Sequence, residues 1–176
     1  MIISPLTHSP LHHYLSADLI NDDLVDFMDD DEDTTETEKS IPWKILITDD
    51  DQTVHDSTVL ALNGVKIHGR PLSFLHAFSA IEGRESLIAN PEIALILLDV
   101  VMETMDAGLR LVNIIRSELK LHDLRIVIRT GQPGGVNTSH ESYRSSIDAF
   151  TIKSKITRSA LIKVLEEMLI RPTPLQ

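Results

Sequence analysis

The sequence predicts an α/β fold: a five-stranded parallel sheet flanked by five helices. Two observations point there. Short apolar, β-rich runs alternate with stretches of helical spacing from Trp43 to Ile170, and such alternation implies right-handed βαβ crossovers with helices on both faces of the sheet. One run, IALILL at 93–98, is apolar at every position, as expected of a strand buried on both faces in mid-sheet.

The elements follow in order. WKILIT (43–48) is a β-rich run, and a helix is expected from Gln52 to Asn63, with Val54, Thr58, Ala61 and Leu62 inward and Asn63-Gly64 as its stop. PLSFLHAF (71–78) forms the second strand; AIEGRESLIAN (80–90) forms a helix closed by Asn90-Pro91. After IALILL comes an amphipathic helix, GLRLVNIIRSEL (108–119), then a strand, LRIVIRT (124–130), and a loop, GQPGG. A weak helix over 138–146, a fifth strand, IDAFTIK (147–153), and a last helix over 157–170 complete the pattern. On that helix Leu161, Val164, Leu165 and Met168 make the apolar stripe.

Length and charge bound the rest. A chain of 176 residues holds one well-buried domain and a tail. The formal net charge of -11 is uneven: residues 1–40 carry 11 acids against one base, Lys39, whereas residues 41–176 carry 16 acids against 15 bases. The folded part is therefore near neutral, and no nucleic-acid binding by charge attraction is expected. The division expected is a largely disordered acidic tail over 1–40, a domain over 41–171 and a short tail over 172–176. Within the first tail Leu24, Phe27 and Met28 share one helical face, and His8, His12 and His13 have no partners that make a metal site. There is no cysteine, which removes disulfide and thiol chemistry. No apolar run reaches membrane-spanning length and no signal pattern opens the chain, so a cytoplasmic location without membrane insertion is expected.

The strand ends carry the chemistry. The first run ends in Asp49, Asp50 and Asp51, the third in Asp99, the fourth in Thr130 and the fifth in Lys153. Each alone suits a cap, a turn or an exposed surface. In a parallel α/β sheet, however, the carboxyl ends of the strands share one edge, so several carboxylates, a hydroxyl and an ammonium meet there. Clustered carboxylates repel one another unless a cation intervenes, and a hard divalent ion with oxygen ligands is the natural one.

The motifs ILITDDD, LILLDVVME, RT-G and DAFTIK, in this order and on these elements, resemble the receiver domains of two-component response regulators. The similarity covers roughly Trp43 to Ile170. It implies a flavodoxin-like, doubly wound sheet of order 2-1-3-4-5, with Asp99 as phospho-acceptor. It also implies Mg²⁺ held by Asp49, Asp50, Asp99 and the backbone carbonyl of Val101, and Thr130 and Lys153 gripping the phosphoryl oxygens. Phe150 takes the aromatic switch position. The expected partners are a sensor histidine kinase or phosphotransfer protein and an output protein docking over 138–170; turnover of an external substrate is not expected. The sequence departs from the pattern at Glu103 and Ser154, where proline is usual, and in MDAGL, one residue longer than the common MDGL. Together with RPLSFLHAFSA and RIVIRTGQPG, these features resemble receivers found ahead of HD-GYP cyclic-dinucleotide phosphodiesterases.

Two other functions compete. ILITDDDQT also fits the haloacid-dehalogenase pattern, a phosphatase with Asp49 as nucleophile, Asp51 as acid/base and Thr130 and Lys153 as later motifs; it leaves Asp99 without a role. An interaction module independent of phosphorylation is the other, and it leaves the full set of strand-end residues unexplained. A phosphate-binding loop at GQPGG lacks the Gly-Lys-Ser/Thr ending.

Overall fold

The computed structural model describes residues 40–131, 143–153 and 157–170. The acidic segment with Leu24, Phe27 and Met28, the loop from Gln132, the stretch 154–156 with Ser154, and the chain from Arg171 lie outside the described residues. The elements run β1 (Trp43–Thr48), α1 (Gln52–Leu62), β2 (Lys66–Ile67), β3 (Arg70–Ala77), α2 (Ala80–Ala89), β4 (Ile93–Asp99), α3 (Ala107–Asn113), β5 (Arg125–Thr130), β6 (Ala149–Ile152) and α4 (Arg158–Met168).

The sheet has the order β2-β3-β1-β4-β5-β6. The five expected strands are β3, β1, β4, β5 and β6, mutually parallel and in the expected order. The count differs by one because β2 turns back on β3 as an antiparallel hairpin at the sheet edge. Its turn is tight enough to put both His68 and Gly69 at positive φ, and a two-residue strand there leaves little edge for a second chain to pair with. Helices differ too. Of the weak fourth helix only Tyr143–Ser146 is described, as a single 3-10 turn. The third helix is α-helical over α3 and then widens into a π turn over Ile114–Glu118, where Leu119 N–H reaches back to the Ile114 carbonyl at 2.9 Å. That turn is held by Arg116, whose guanidinium bonds the Ser146 carbonyl at 3.1 Å and Asp148 at 3.1 Å.

Alternation along each strand splits the core. Leu46, Ile96, Leu98, Ile126 and Ile128 face one side and pack with Leu111, Val112 and Ile115 of the third helix and its extension. Ile45, Ile47, Leu95, Leu97 and Val127 face the other and pack with Leu62 of α1 and Leu161 and Leu165 of α4. All of these residues are 3% exposed or less, which is why the strands read as continuous apolar runs. Helices α1, α2 and α4 start on side-chain caps: Asp51 accepts from Thr53 N–H at 2.8 Å, Ser79 from Glu82 N–H at 3.2 Å and Thr157 from Ala160 N–H at 3.2 Å.

Candidate functional site

The sheet register assembles the site before any loop is considered. Ile47 pairs with Leu97 and Asp99 with Arg129, so Asp49, one step past β1, falls beside Asp99; Arg129 in turn pairs with Thr151. Residues paired across neighbouring strands project from the same face. A row of two acids, a guanidinium and a hydroxyl therefore crosses the carboxyl edge on the face covered by α1 and α4.

The acids meet. Asp49, Asp50 and Asp99 each offer an oxygen, and these oxygens lie within 4.8 Å of one another. Asp49 and Asp99 are only 1% and 6% exposed, whereas Asp50 faces solvent. Lys153 stands just past β6 and closes the group: its Nζ is 2.7 Å from Asp99 Oδ2, to which it donates a hydrogen bond, and 2.7 Å from Asp49 Oδ2. The latter contact is an ion pair whose geometry falls short of a hydrogen bond, so the buried Asp49 Oδ2 accepts none among the described residues. Asp49 Oδ1 accepts from the Asp51 N–H at 3.1 Å.

Burial pushes the Asp99 carboxyl above its usual range; the Lys153 ammonium opposes the rise and the neighbouring Asp49 charge adds to it. Burial by itself would lower Lys153, but the contacts with Asp49 and Asp99 outweigh it and hold the ammonium above an ordinary lysine. One ammonium thus answers three carboxylates. A lone-pair-bearing buried oxygen without a hydrogen bond, beside an exposed carboxylate and a third acid, is the donor set that a hard divalent cation takes.

The other expected residues fall around this cluster. Val101 is half exposed, and its backbone N–H works against the rise of the Asp99 carboxyl. Thr130 ends β5 opposite Ile152, and Phe150 pairs with Ile128, so Thr130 and Phe150 lie on the same sheet face, the one toward α3. Phe150 is 41% exposed, leaving its ring open to solvent. Asp51 is drawn out of the cluster: its carboxylate caps α1, and that hydrogen bond from Thr53 holds it below the usual range. The acid/base that the phosphatase alternative requires is thereby occupied by a helix end.

Four residues near the site have a role that the sequence reading does not give them. Gly108 opens the expected third helix and belongs to the lengthened MDAGL, yet a Cβ on it would fall 1.9 Å from the Asp99 carbonyl oxygen, and its N–H donates to the Val100 carbonyl at 3.0 Å. Glu103, in the place of the usual proline, turns its carboxylate to the first N–H of α2, accepting from Ala80 at 3.2 Å. His55 is fully buried under the acidic turn: its Nε2 bonds the Asp49 carbonyl at 2.8 Å and its Nδ1 the Nδ1 of His76 at 2.8 Å. Arg129 is 4% exposed and donates from Nη1 to Thr58 Oγ1 at 2.6 Å. The first and second give no signal in a sequence. The other two do: His55, Thr58 and Leu62 fall at i, i+3 and i+7, and an arginine interrupts an apolar strand.

No family model matches the chain. A 3'3'-cGAMP-specific phosphodiesterase 2 of Vibrio cholerae is 41% identical over 128 residues, 73% of this chain and 24% of that protein. The chain thus spans about a quarter of the curated relative it matches. Among solved structures, the N-terminal domain of a response regulator receiver protein from Methanoculleus marisnigri JR1 is 29% identical, with a TM-score of 0.53 over 74% of this chain and 98% of that one. The signal receiver domain of an HD domain-containing protein from Pseudomonas fluorescens Pf-5 shares the fold, with a TM-score of 0.59 at 18% identity over 73% and 95% of the two chains. In its strand order, its acids at the tips of β1 and β4 and its lysine after β6, the chain is similar to the response regulator receiver domains.

Proposed function

We propose that Asp99 is the phospho-acceptor of this receiver domain, taking a phosphoryl group from a histidine kinase or phosphotransfer protein in the cytoplasm. The observation that supports it is the convergence of Asp49, Asp50 and Asp99 within 4.8 Å with Lys153 Nζ at 2.7 Å from Asp99. Asp49, Asp50, Asp99 and the Val101 carbonyl would hold Mg²⁺. When bound, that ion neutralises charge on the incoming phosphoryl oxygens and aligns donor with acceptor.

The chain's own groups do the rest. Asp99 Oδ attacks phosphorus as the donor's leaving group departs with the bonding pair, and an acyl phosphate results. Lys153, kept protonated by the two acids it touches, remains a fixed positive charge at the phosphoryl oxygens. Thr130 is placed at the tip of β5 to turn its hydroxyl toward the new oxygens. The space it leaves lies on the face it shares with Phe150, whose exposed ring can then turn inward. Such a change of packing biases a two-state surface, and the surface that carries it is the region 138–170. The likeness to a cyclic-dinucleotide phosphodiesterase supports an output of that class, worked by contact rather than by chemistry at Asp99.

The test is incubation with a small phosphodonor and Mg²⁺, read by intact mass. One phosphoryl group is expected on the wild-type chain and none on Asp99→Asn. Incorporation that survives Asp99→Asn, or that vanishes only with Asp49→Asn, overturns the assignment.

A further inference from the structure

Arg129 has no part in the chemistry just described, yet it is the next side chain along the row from the acceptor. It pairs directly with Asp99 across adjacent strands, which run about 4.8 Å apart. It lies on the same sheet face as Asp49 and Asp99. It is 4% exposed, and its Nε meets no hydrogen-bond acceptor among the described residues. Its fixed anchor is Thr58 Oγ1 on α1, a hydroxyl that itself donates to the Val54 carbonyl at 2.6 Å.

A buried guanidinium is costly, and it is ordinarily kept by a carboxylate gripped in bidentate fashion. Among the described residues Arg129 has no such partner; a neutral hydroxyl positions it. Burial pushes it below the usual range of an arginine, and the field of Asp49 and Asp99 works the other way, both acids favouring its charged form. Because guanidinium does not deprotonate in proteins, the charge is permanent.

We propose that Arg129 is a resident counter-ion of the acidic cluster, positioned by Thr58 beside the acids but outside their hydrogen-bonding shell. The inference rests on the proposed metal site. Three carboxylates face two cations, Arg129 and Lys153, and carry one surplus negative charge. A divalent cation turns that to one positive, and the acyl phosphate, with one more negative charge than the carboxylate it replaces, brings the site to neutrality. Without Arg129 the phosphorylated site would stay one charge negative. The residue thus weakens metal binding in the resting state and favours the phosphorylated one.

The sign of the metal effect is diagnostic. A variant that merely loosens packing beneath the site binds the cation less well. One that removes a nearby positive charge binds it more tightly. Titration calorimetry with MgCl₂ on wild type, Arg129→Met, Arg129→Lys and Thr58→Val should give a Kd for Arg129→Met lower by roughly fivefold or more, with Arg129→Lys close to wild type and Thr58→Val within about twofold. Arg129→Met should also gain more melting temperature from Mg²⁺ than wild type does, and lose its phosphoryl group sooner. Arg129→Gln, which keeps a donor for Thr58 but no charge, replaces Arg129→Met should the latter not fold. Unchanged or weaker Mg²⁺ binding by the neutral variants overturns the counter-ion role while leaving the metal site standing. Absence of Mg²⁺ binding by wild type overturns both.

Discussion

Gly108, the second residue of α3, lies so close beneath Asp99 that a β-carbon on it would overlap the Asp99 carbonyl oxygen at 1.9 Å. The obstacle is backbone, not the end of a flexible side chain, and it cannot swing away. Backbone is also what aims the Asp99 carboxylate. Gly108→Ala is therefore expected to push α3 off the tip of β4, destabilising the domain by about 3 kcal/mol and lowering Tm by roughly 10 °C. Thermal unfolding checks the stability. An alanine variant within the error of wild type would mean that α3 and the tip of β4 can separate at no cost.

Lys153→Met removes the ammonium between Asp49 and Asp99 while keeping a chain of similar length. Two buried carboxylates are then left facing one another, and the metal-free domain should lose about 1–3 kcal/mol, part of which Mg²⁺ restores. The rate of phosphoryl incorporation should fall by roughly 100-fold, the usual loss when one preorganised charge is removed from a reacting group. Chemical denaturation with and without Mg²⁺ measures the first effect and timed intact-mass spectra the second.

His76 gives the domain an acid-side weakness. Burial lowers its pKa from 6.5, the adjoining His55 ring lowers it further, and Asp56 works the other way. With folded pKa below unfolded, the unfolded chain binds more protons as pH falls through 6.5, so stability is full above that value and declines below it. His76→Gln should flatten the decline between neutral pH and the carboxylate range, measured as Tm against pH. A variant with the same slope as wild type would remove His76 as its source.

The position two past the proposed acceptor is Val101, an apolar side chain that cannot orient a water molecule toward an acyl phosphate. The phosphorylated domain should accordingly persist far beyond seconds in the absence of a phosphatase, and Val101→Asn should shorten its life. Loss of the phosphoryl mass from the wild type within seconds contradicts this.

What the sequence by itself determined was whatever repeats or ends a pattern. IALILL declared a central strand because a strand covered on both faces excludes polar residues. Asp49, Asp50, Asp99, Thr130 and Lys153 declared a shared edge because parallel strands bring their carboxyl ends together whatever the loops do. Tertiary structure decided the rest, where spacing carries no information about neighbours. The hairpin strand Lys66–Ile67 is too short to have a period. Gly108 matters because of a peptide nine residues earlier, and Glu103 because an N–H of α2 happens to come within reach. In the sequence Arg129 is only a charge interrupting an apolar strand; the register that sets it against Asp99 and the helix that brings Thr58 over it make it a buried charge beside the acids. Local pattern follows from the chain's own geometry, but partnership between distant side chains exists only once the sheet has closed and the helices have packed on it.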